Sequence, residues 1–269
     1  VALAGWYVPR GEKPRDPLVT LTELLTEASK SLMAANATPE EYKIFASEAN
    51  LQEIMLEGYM EWIAETGVDE PYEVIESESY VERVFMEVPL FDLQVVIIGR
   101  LDVRLRRLSD GAIMFLDHKT TASILQSIKG LRMNPQMRMY RTLLHGDANE
   151  PGGAIYSMIR KVKRTIKATP PFYHREELTF NPHELENFQR QLRGSISKIF
   201  MDEENLIQAP EGHHVFVPPT PGSHCSYCPF ERACPMFDDG SRVEDFINEN
   251  FIVGEALEYY GREDLTRHG

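Results

Sequence analysis

Val95-Val96-Ile97-Ile98-Gly99-Arg100-Leu101-Asp102 and, after a polar stretch, Ile113-Met114-Phe115-Leu116-Asp117-His118-Lys119-Thr120 decide the reading of this chain. Both runs open on β-branched and large apolar residues, and Ser109-Asp110-Gly111 between them is turn chemistry. The pattern predicts two antiparallel strands. A hairpin loop of Asp110-Gly111 alone pairs Ser109 with Ala112 and sets Asp102 opposite Lys119. Side chains alternate along a strand, so Asp117 and Lys119 share a face, and cross-strand partners share it too. That face then carries two carboxylates and one ammonium. Two carboxylates can hold a divalent cation, and a lysine beside them can polarise a water or a phosphate oxygen.

Taken singly, each of these charges could be solvated surface. Asp117, however, ends the run Ile113–Leu116, which reads as a buried strand. Ionised groups there cost desolvation energy unless a metal or partners compensate.

Further along the chain stand Gln136-x-x-x-Tyr140 and Cys225-x-x-Cys228-x5-Cys234-Pro235. Together with Gly99-Arg100-Leu101-Asp102 and Leu116-Asp117-His118-Lys119-Thr120, in that order, they resemble the RecB-like branch of the PD-(D/E)XK nuclease superfamily. That branch holds the RecB nuclease domain, the CRISPR-adaptation nucleases and many phage exonucleases. The resemblance covers most of residues 80 to 238. It implies an α/β fold: a restriction-endonuclease-like core with a mixed central β-sheet flanked by helices. To this core it adds an N-terminal helical region and a C-terminal cysteine-cluster segment.

The same resemblance implies a metal-dependent DNA nuclease, with exonuclease action in phage or bacterial DNA processing or recombination. Asp102 and Asp117 would bind Mg²⁺ or Mn²⁺, the His118 carbonyl would be a further ligand, and Glu87 sits where the family commonly has a strand glutamate. Lys119 would position or help deprotonate the attacking water. Gln136 and Tyr140, four apart on one helix face, would be aimed at the active site. The products would carry 5′-phosphate and 3′-hydroxyl ends. The implied setting is the cytoplasm of a bacterium or phage-infected host. The implied partners are DNA, single-stranded or with free ends, and a protein of a recombination or defence complex.

The three cysteines lie within ten positions, which suits reduced thiols serving as metal ligands better than a disulfide framework. Four ligands are usual for zinc and for an iron–sulfur cluster. By resemblance the cofactor is a 4Fe-4S cluster whose fourth cysteine lies near the N-terminus. The alternative is Zn²⁺ held by Cys225, Cys228 and Cys234 with His224, His213 or His214. No His or Cys occurs in the first 100 residues, and the chain opens Val-Ala-Leu-Ala-Gly-Trp-Tyr-Val-Pro, which reads as the tail of a helix. The expectation is that an upstream segment carries the missing cluster ligand and one metal ligand.

Composition sets bounds. The chain has 269 residues, 42% of them hydrophobic, enough for one large core with appendages. No apolar run approaches the ~18 residues of a membrane helix. We expect a single nuclease domain over 1–269: a helical region at 1–79, a catalytic core at 80–209, the cysteine segment at 210–238 and a tail at 239–269. The formal net charge of −14 opposes nonspecific nucleic-acid binding, but it is unevenly spread. Basic runs at 100–107, 129–141 and 160–167 mark Arg100, Arg104, Arg138, Arg160, Lys161 and Lys163 as candidate phosphate contacts. The same charge keeps a rival reading open, a nuclease-fold subunit that binds DNA or a protein partner without cutting. A zinc-ribbon interaction module would explain the cysteines but not Asp102, Asp117 and Lys119.

Local signals predict helices at 18–35, 39–66, 133–145, 182–201 and around 244–260, three strands within 80–119 and another at 153–161. Thr38-Pro39-Glu40-Glu41 is a helix start, with Thr38 as N-cap.

Overall fold

The structure is a computed structural model, and it describes residues 2–88, 92–146, 151–179, 181–208, 220–252 and 254. Two compact units divide it, residues 1–185 and 186–269.

The first unit is built on one five-stranded sheet whose spatial order follows the sequence: β1 (Tyr72–Val88), β2 (Leu93–Arg107), β3 (Ile113–Thr121), β4 (Gly153–Arg160) and β5 (Tyr173–Thr179). β1–β2, β2–β3 and β4–β5 pair antiparallel, while β3–β4 is parallel. A parallel neighbour needs a crossover. Here α3 (Ile124–Gly130) and α4 (Pro135–Leu143) supply it. The expected class, a mixed sheet flanked by helices, is the one that forms.

Each face of the sheet has its own core. On one, Leu101, Phe115, Tyr156 and Met158 pack with Ile124 of α3 and Met137 of α4. On the other, Val103, Leu105, Met114 and Leu116 enclose Tyr7. Beside them Ile159 and Tyr173 meet Met55, Tyr59 and Ile63 of α2 (Pro39–Thr66). α2 starts as its sequence predicts: Thr38 accepts from Glu41 N while Glu41 accepts from Thr38 N, and Gly67 closes the helix at φ 63°. α1 (Pro17–Ala34) is capped by Asp16, whose carboxylate accepts from Leu18 N at 2.9 Å. Residues 2–6 are hydrogen-bonded turns rather than the end of a helix, and they insert Tyr7 into the core.

The β2–β3 hairpin departs from its expected register. The ladder runs from Arg106↔Ile113 to Val103↔Leu116, so the loop is Leu108–Gly111 and Asp102 does not face Lys119. Asp110 causes this. Its carboxylate accepts from Arg107 Nε at 3.0 Å and from Ala112 N at 3.1 Å, and Gly111 takes φ 74°. One more step of the observed register sets Asp102 opposite Asp117. The slip is two residues, so the side chains of the paired stretch keep their faces.

The second unit contains most of α5 (Pro182–Gln208), the cysteine segment and α6 (Val243–Asn250). The expected helix to residue 260 passes partly outside the described residues.

Candidate active site

The β2–β3 ladder stops at Val103↔Leu116, and Asp102 stands just past the stop. Its Oδ2 accepts the His118 N–H at 2.8 Å, taking the place of a strand carbonyl. Alternation also breaks here. Leu101 belongs to the core under α3 and α4, whereas Val103 belongs to the core on the other face. The two strands thus fork at the two aspartates.

Asp117 is 1% exposed, and neither carboxylate oxygen makes a hydrogen bond. Lys119 Nζ lies 3.0 Å from its Oδ2, as an ion pair outside hydrogen-bonding geometry. Burial pushes the Asp117 pKa up to about 6; Lys119 opposes the shift and Asp102 adds to it. A buried carboxylate whose sole counter-charge meets one of its oxygens is an unfavourable arrangement for the protein alone. It suits a divalent cation, which takes oxygen ligands. Among the described residues no three His, Cys, Asp or Glu side chains form a metal-holding group. Among the described residues the site thus offers two carboxylates, Asp102 and Asp117, rather than a three-side-chain cage.

The His118 ring turns to the opposite face. Its Nδ1 is 3.5 Å from Tyr59 OH, and the Tyr7 and Tyr59 rings flank it at 5.4 and 5.8 Å. Nε2 is shut off from solvent without a hydrogen bond. Burial, then the Arg175 charge, lowers the His118 pKa to about 3. Behind it runs a network the sequence did not announce. Tyr59 OH and Ser157 Oγ are 2.7 Å apart. Arg175 donates to Tyr7 OH at 2.7 Å and Tyr59 OH at 3.1 Å, and it pairs with Asp69 at 2.6 Å.

Gln136 and Tyr140 do share one face of α4. Gln136 Nε2 donates to Tyr140 OH at 2.9 Å, and Tyr140 OH donates to the Arg100 carbonyl at 3.0 Å. The Tyr140 ring stands edge-on to Phe115, two residues before Asp117 on the same face. Gly99 permits this approach, because a Cβ there would lie 2.9 Å from Leu143 Cδ2 and 3.4 Å from Tyr140 Cε1.

Glu87 is not brought to the site. It pairs with Gln94 near the far end of the β1–β2 hairpin, eight residues along β2 from Asp102, or roughly 27 Å of strand. Glu78 stands by the aspartates instead. It adopts φ 52° in β1 and, with Asp102, Lys119 and Thr120, lines a cavity of about 360 Å³. Its one sequence signal is the polar Glu76-Ser77-Glu78-Ser79 run interrupting β1.

The basic runs are largely spent on the protein itself. Arg100 pairs with Glu78 at 2.7 Å, Arg104 with Glu76 at 2.6 Å and Arg106 with Glu73 at 3.9 Å. Arg138 donates to the Arg132 carbonyl, Arg160 to the Thr169 carbonyl and Lys163 to Asn50. Lys161 is exposed.

In the second unit Cys225, Cys228 and Cys234 are free, half-buried thiols. Among the described residues they are not gathered into a metal-holding group. His213, His214 and Val1, the points where a fourth ligand was expected or approached, lie outside the described residues.

A family model described as the PD-(D/E)XK nuclease superfamily matches residues 2–235. No curated protein matches the chain. A solved structure titled "Crystal structure of SSO0001" is similar at 14% identity and a TM-score of 0.37, covering 80% of this chain and 96% of that one.

Proposed function

This chain belongs to the PD-(D/E)XK nuclease superfamily, and on that premise we propose that it is a Mg²⁺- or Mn²⁺-dependent deoxyribonuclease of the RecB-like type. We assign it exonuclease action on DNA with single-stranded or free ends, in bacterial or phage DNA processing. Its five-stranded mixed sheet flanked by helices is the restriction-endonuclease-like fold of that superfamily. The superfamily's enzymes are in general metal-dependent nucleases, and among the described residues no helix is long and apolar enough to cross a membrane.

The observation that carries the reading is Asp117, a buried carboxylate with Oδ2 3.0 Å from Lys119, Oδ1 without a hydrogen bond, and Asp102 beside it. Asp102, Asp117 and the His118 carbonyl would hold the cation, which supplies a more acidic bound water and a Lewis acid for the phosphate. Asp102 also ties β2 to β3 at the fork through the His118 N–H. Lys119, one-third exposed, presents its ammonium to the attacking water or to a phosphate oxygen. Water adds to phosphorus, the P–O3′ bond breaks, and the 3′ oxygen leaves with a proton. Tyr140 and Gln136 brace the Arg100 carbonyl, two residues before Asp102.

The cysteine segment enters no step. Its spacing supports a 4Fe-4S cluster, or zinc as the alternative, with a structural role; the three thiols as they stand do not make that site. Iron and zinc analysis of purified protein decides between them.

The rival reading, a non-cleaving subunit that binds DNA or a partner in a repair or defence complex, draws support from the paired arginines and the −14 charge. End-labelled single- and double-stranded oligonucleotides, incubated with Mg²⁺, Mn²⁺ or EDTA, separate the two. Metal-dependent hydrolysis by the wild type, lost in Asp117→Ala, is the expected result. No hydrolysis by the wild type in either metal refutes the nuclease reading.

A further inference from the structure

We propose that Arg175 of β5 is a positioning residue for the metal ligands. Acting through Tyr59 and the His118 ring, it holds the His118 peptide in the orientation that Asp102 and the cation require. This rests on the metal-dependent nuclease reading above and adds to it a buried device on the opposite face of the sheet.

Asp117 and Lys119 point to one face of β3, and the ring of His118, between them in sequence, points to the other. The His118 N–H holds Asp102 Oδ2 at 2.8 Å. Within a strand, the N–H and C=O of one residue point to the same neighbouring strand. The His118 carbonyl therefore faces the side where the β2 ladder has stopped, the side of Asp102. A rotation of β3 at this residue would move the Asp102 anchor and the carbonyl together.

The ring behind that peptide resists the rotation. It lies between Tyr7 and Tyr59, edge-on to Tyr59. Tyr59 is fully buried, and its hydroxyl is held from two sides, by Ser157 Oγ at 2.7 Å and by Arg175 at 3.1 Å. Ser157 is the β4 residue in register with His118. The same Arg175 nitrogen, Nη2, also donates to Tyr7 OH at 2.7 Å, so one guanidinium ties down both rings that flank the histidine. Its other end is fixed by Asp69 at 2.6 Å and the Val68 carbonyl at 3.1 Å.

Stability alone is a poor account of this arrangement. The Arg175 side chain is 7% exposed, its Nε makes no hydrogen bond, and neither does His118 Nε2. A buried ion pair with unmet polar atoms is often no better than apolar packing of the same volume. What it supplies is direction. Apolar contact does not fix an angle, whereas hydrogen bonds do.

The experiment is Mn²⁺ binding by the full chain without DNA, read from the electron paramagnetic resonance signal of free Mn²⁺. Binding lost in Asp117→Ala defines the active-site component, and each Kd is taken per folded molecule. Arg175→Met and Tyr59→Phe should each raise that Kd by about tenfold or more, the usual effect of removing partners behind metal ligands. Loss of a positive charge alone would tighten cation binding, so the expected sign for Arg175→Met is opposite to a simple charge effect. Arg175→Lys, which keeps the charge without the fork, should recover little of the affinity. In a His118→Ala background the same changes should add almost nothing, because the ring through which they act is gone. Should Arg175→Met not fold, Tyr59→Phe alone and in the His118→Ala background decides. An unchanged Kd in Tyr59→Phe, or an effect that persists in full without the His118 ring, overturns the positioning role and leaves the nuclease reading standing. A wild type without an Asp117-dependent Mn²⁺ component overturns both.

Discussion

Replacing Asp117 by Asn should stabilise the metal-free protein while abolishing its activity. Asp117 has its pKa raised from 3.8 to about 6 by burial. Between those two pH values the folded state holds the proton and the unfolded state releases it. Wild-type stability therefore falls as pH rises through this window and levels off above about 6. The difference, 6 minus 3.8, corresponds to about 3 kcal/mol at 1.36 kcal/mol per unit. Asn resembles the neutral acid and escapes that cost at neutral pH. Its buried NH₂ lacks an acceptor, which takes back about 1 kcal/mol. A net gain of about 2 kcal/mol at pH 7.5 in EDTA is expected, vanishing near pH 4. Urea denaturation at pH 4, 5, 6 and 7.5 measures it. In excess Mg²⁺ the order should reverse, since a ligand that binds only the folded wild type stabilises it alone. An Asn variant less stable than wild type at pH 7.5 in EDTA, or a difference independent of pH, would refute the claim that Asp117 is held ionised at a cost.

Three further outcomes follow from the geometry. Tyr59→Phe removes the hydroxyl shared by Ser157 and Arg175, so unfolding should become easier by about 1–3 kcal/mol. If that network positions His118, kcat per folded molecule should drop, whereas a smaller folded fraction with kcat per folded molecule unchanged would mark a purely structural role. Gly99→Ala places a methyl 2.9 Å from Leu143 Cδ2, the end of a flexible but buried side chain; a loss of about 1 kcal/mol in stability is expected. Glu78→Ala should lower cleavage by about tenfold or more through disturbance beside the proposed metal ligands, while Glu87→Ala should leave it nearly unchanged, and the opposite order would place the site elsewhere.

Asp117 and Lys119 were legible because alternation along a strand is a local property; Asp102, where alternation breaks, was legible only from its place at the end of β2. The hairpin register expected from the turn was wrong by two residues, yet an even slip leaves the side chains of the paired stretch on their faces. Gln136 and Tyr140 were legible for the same reason, since a spacing of four fixes a helix face. Glu78 was not, because it depends on a left-handed φ in the middle of β1, which no neighbouring glycine or asparagine signals. Arg175 was hidden by its strand: Tyr173-His174-Arg175-Glu176-Glu177 reads as polar, and only the arrival of Asp69, Tyr7 and Tyr59 makes a buried arginine tolerable.

The basic runs show where sequence reasoning about charge fails. Arg100, Arg104 and Arg106 look like a phosphate-binding stripe when β2 is read alone. Antiparallel pairing lays the acidic β1 beside it in a register that sets Glu76 against Arg104 and Glu73 against Arg106. Opposite charges across a strand pair help specify that register, worth a few tenths to about 1 kcal/mol each. The same residues cannot serve fully as both a sheet-register device and a DNA surface, because each guanidinium already has a carboxylate at hand. With those β2 arginines paired, attraction for DNA falls to the cation, the exposed Lys161, and Arg138, Arg160 and Lys163, which hydrogen-bond uncharged groups. A protein organised in this way should show a shallow salt dependence of DNA binding in EDTA and a steeper one when Mn²⁺ is present. A steep slope without metal would mean that the arginine pairs open on contact with DNA.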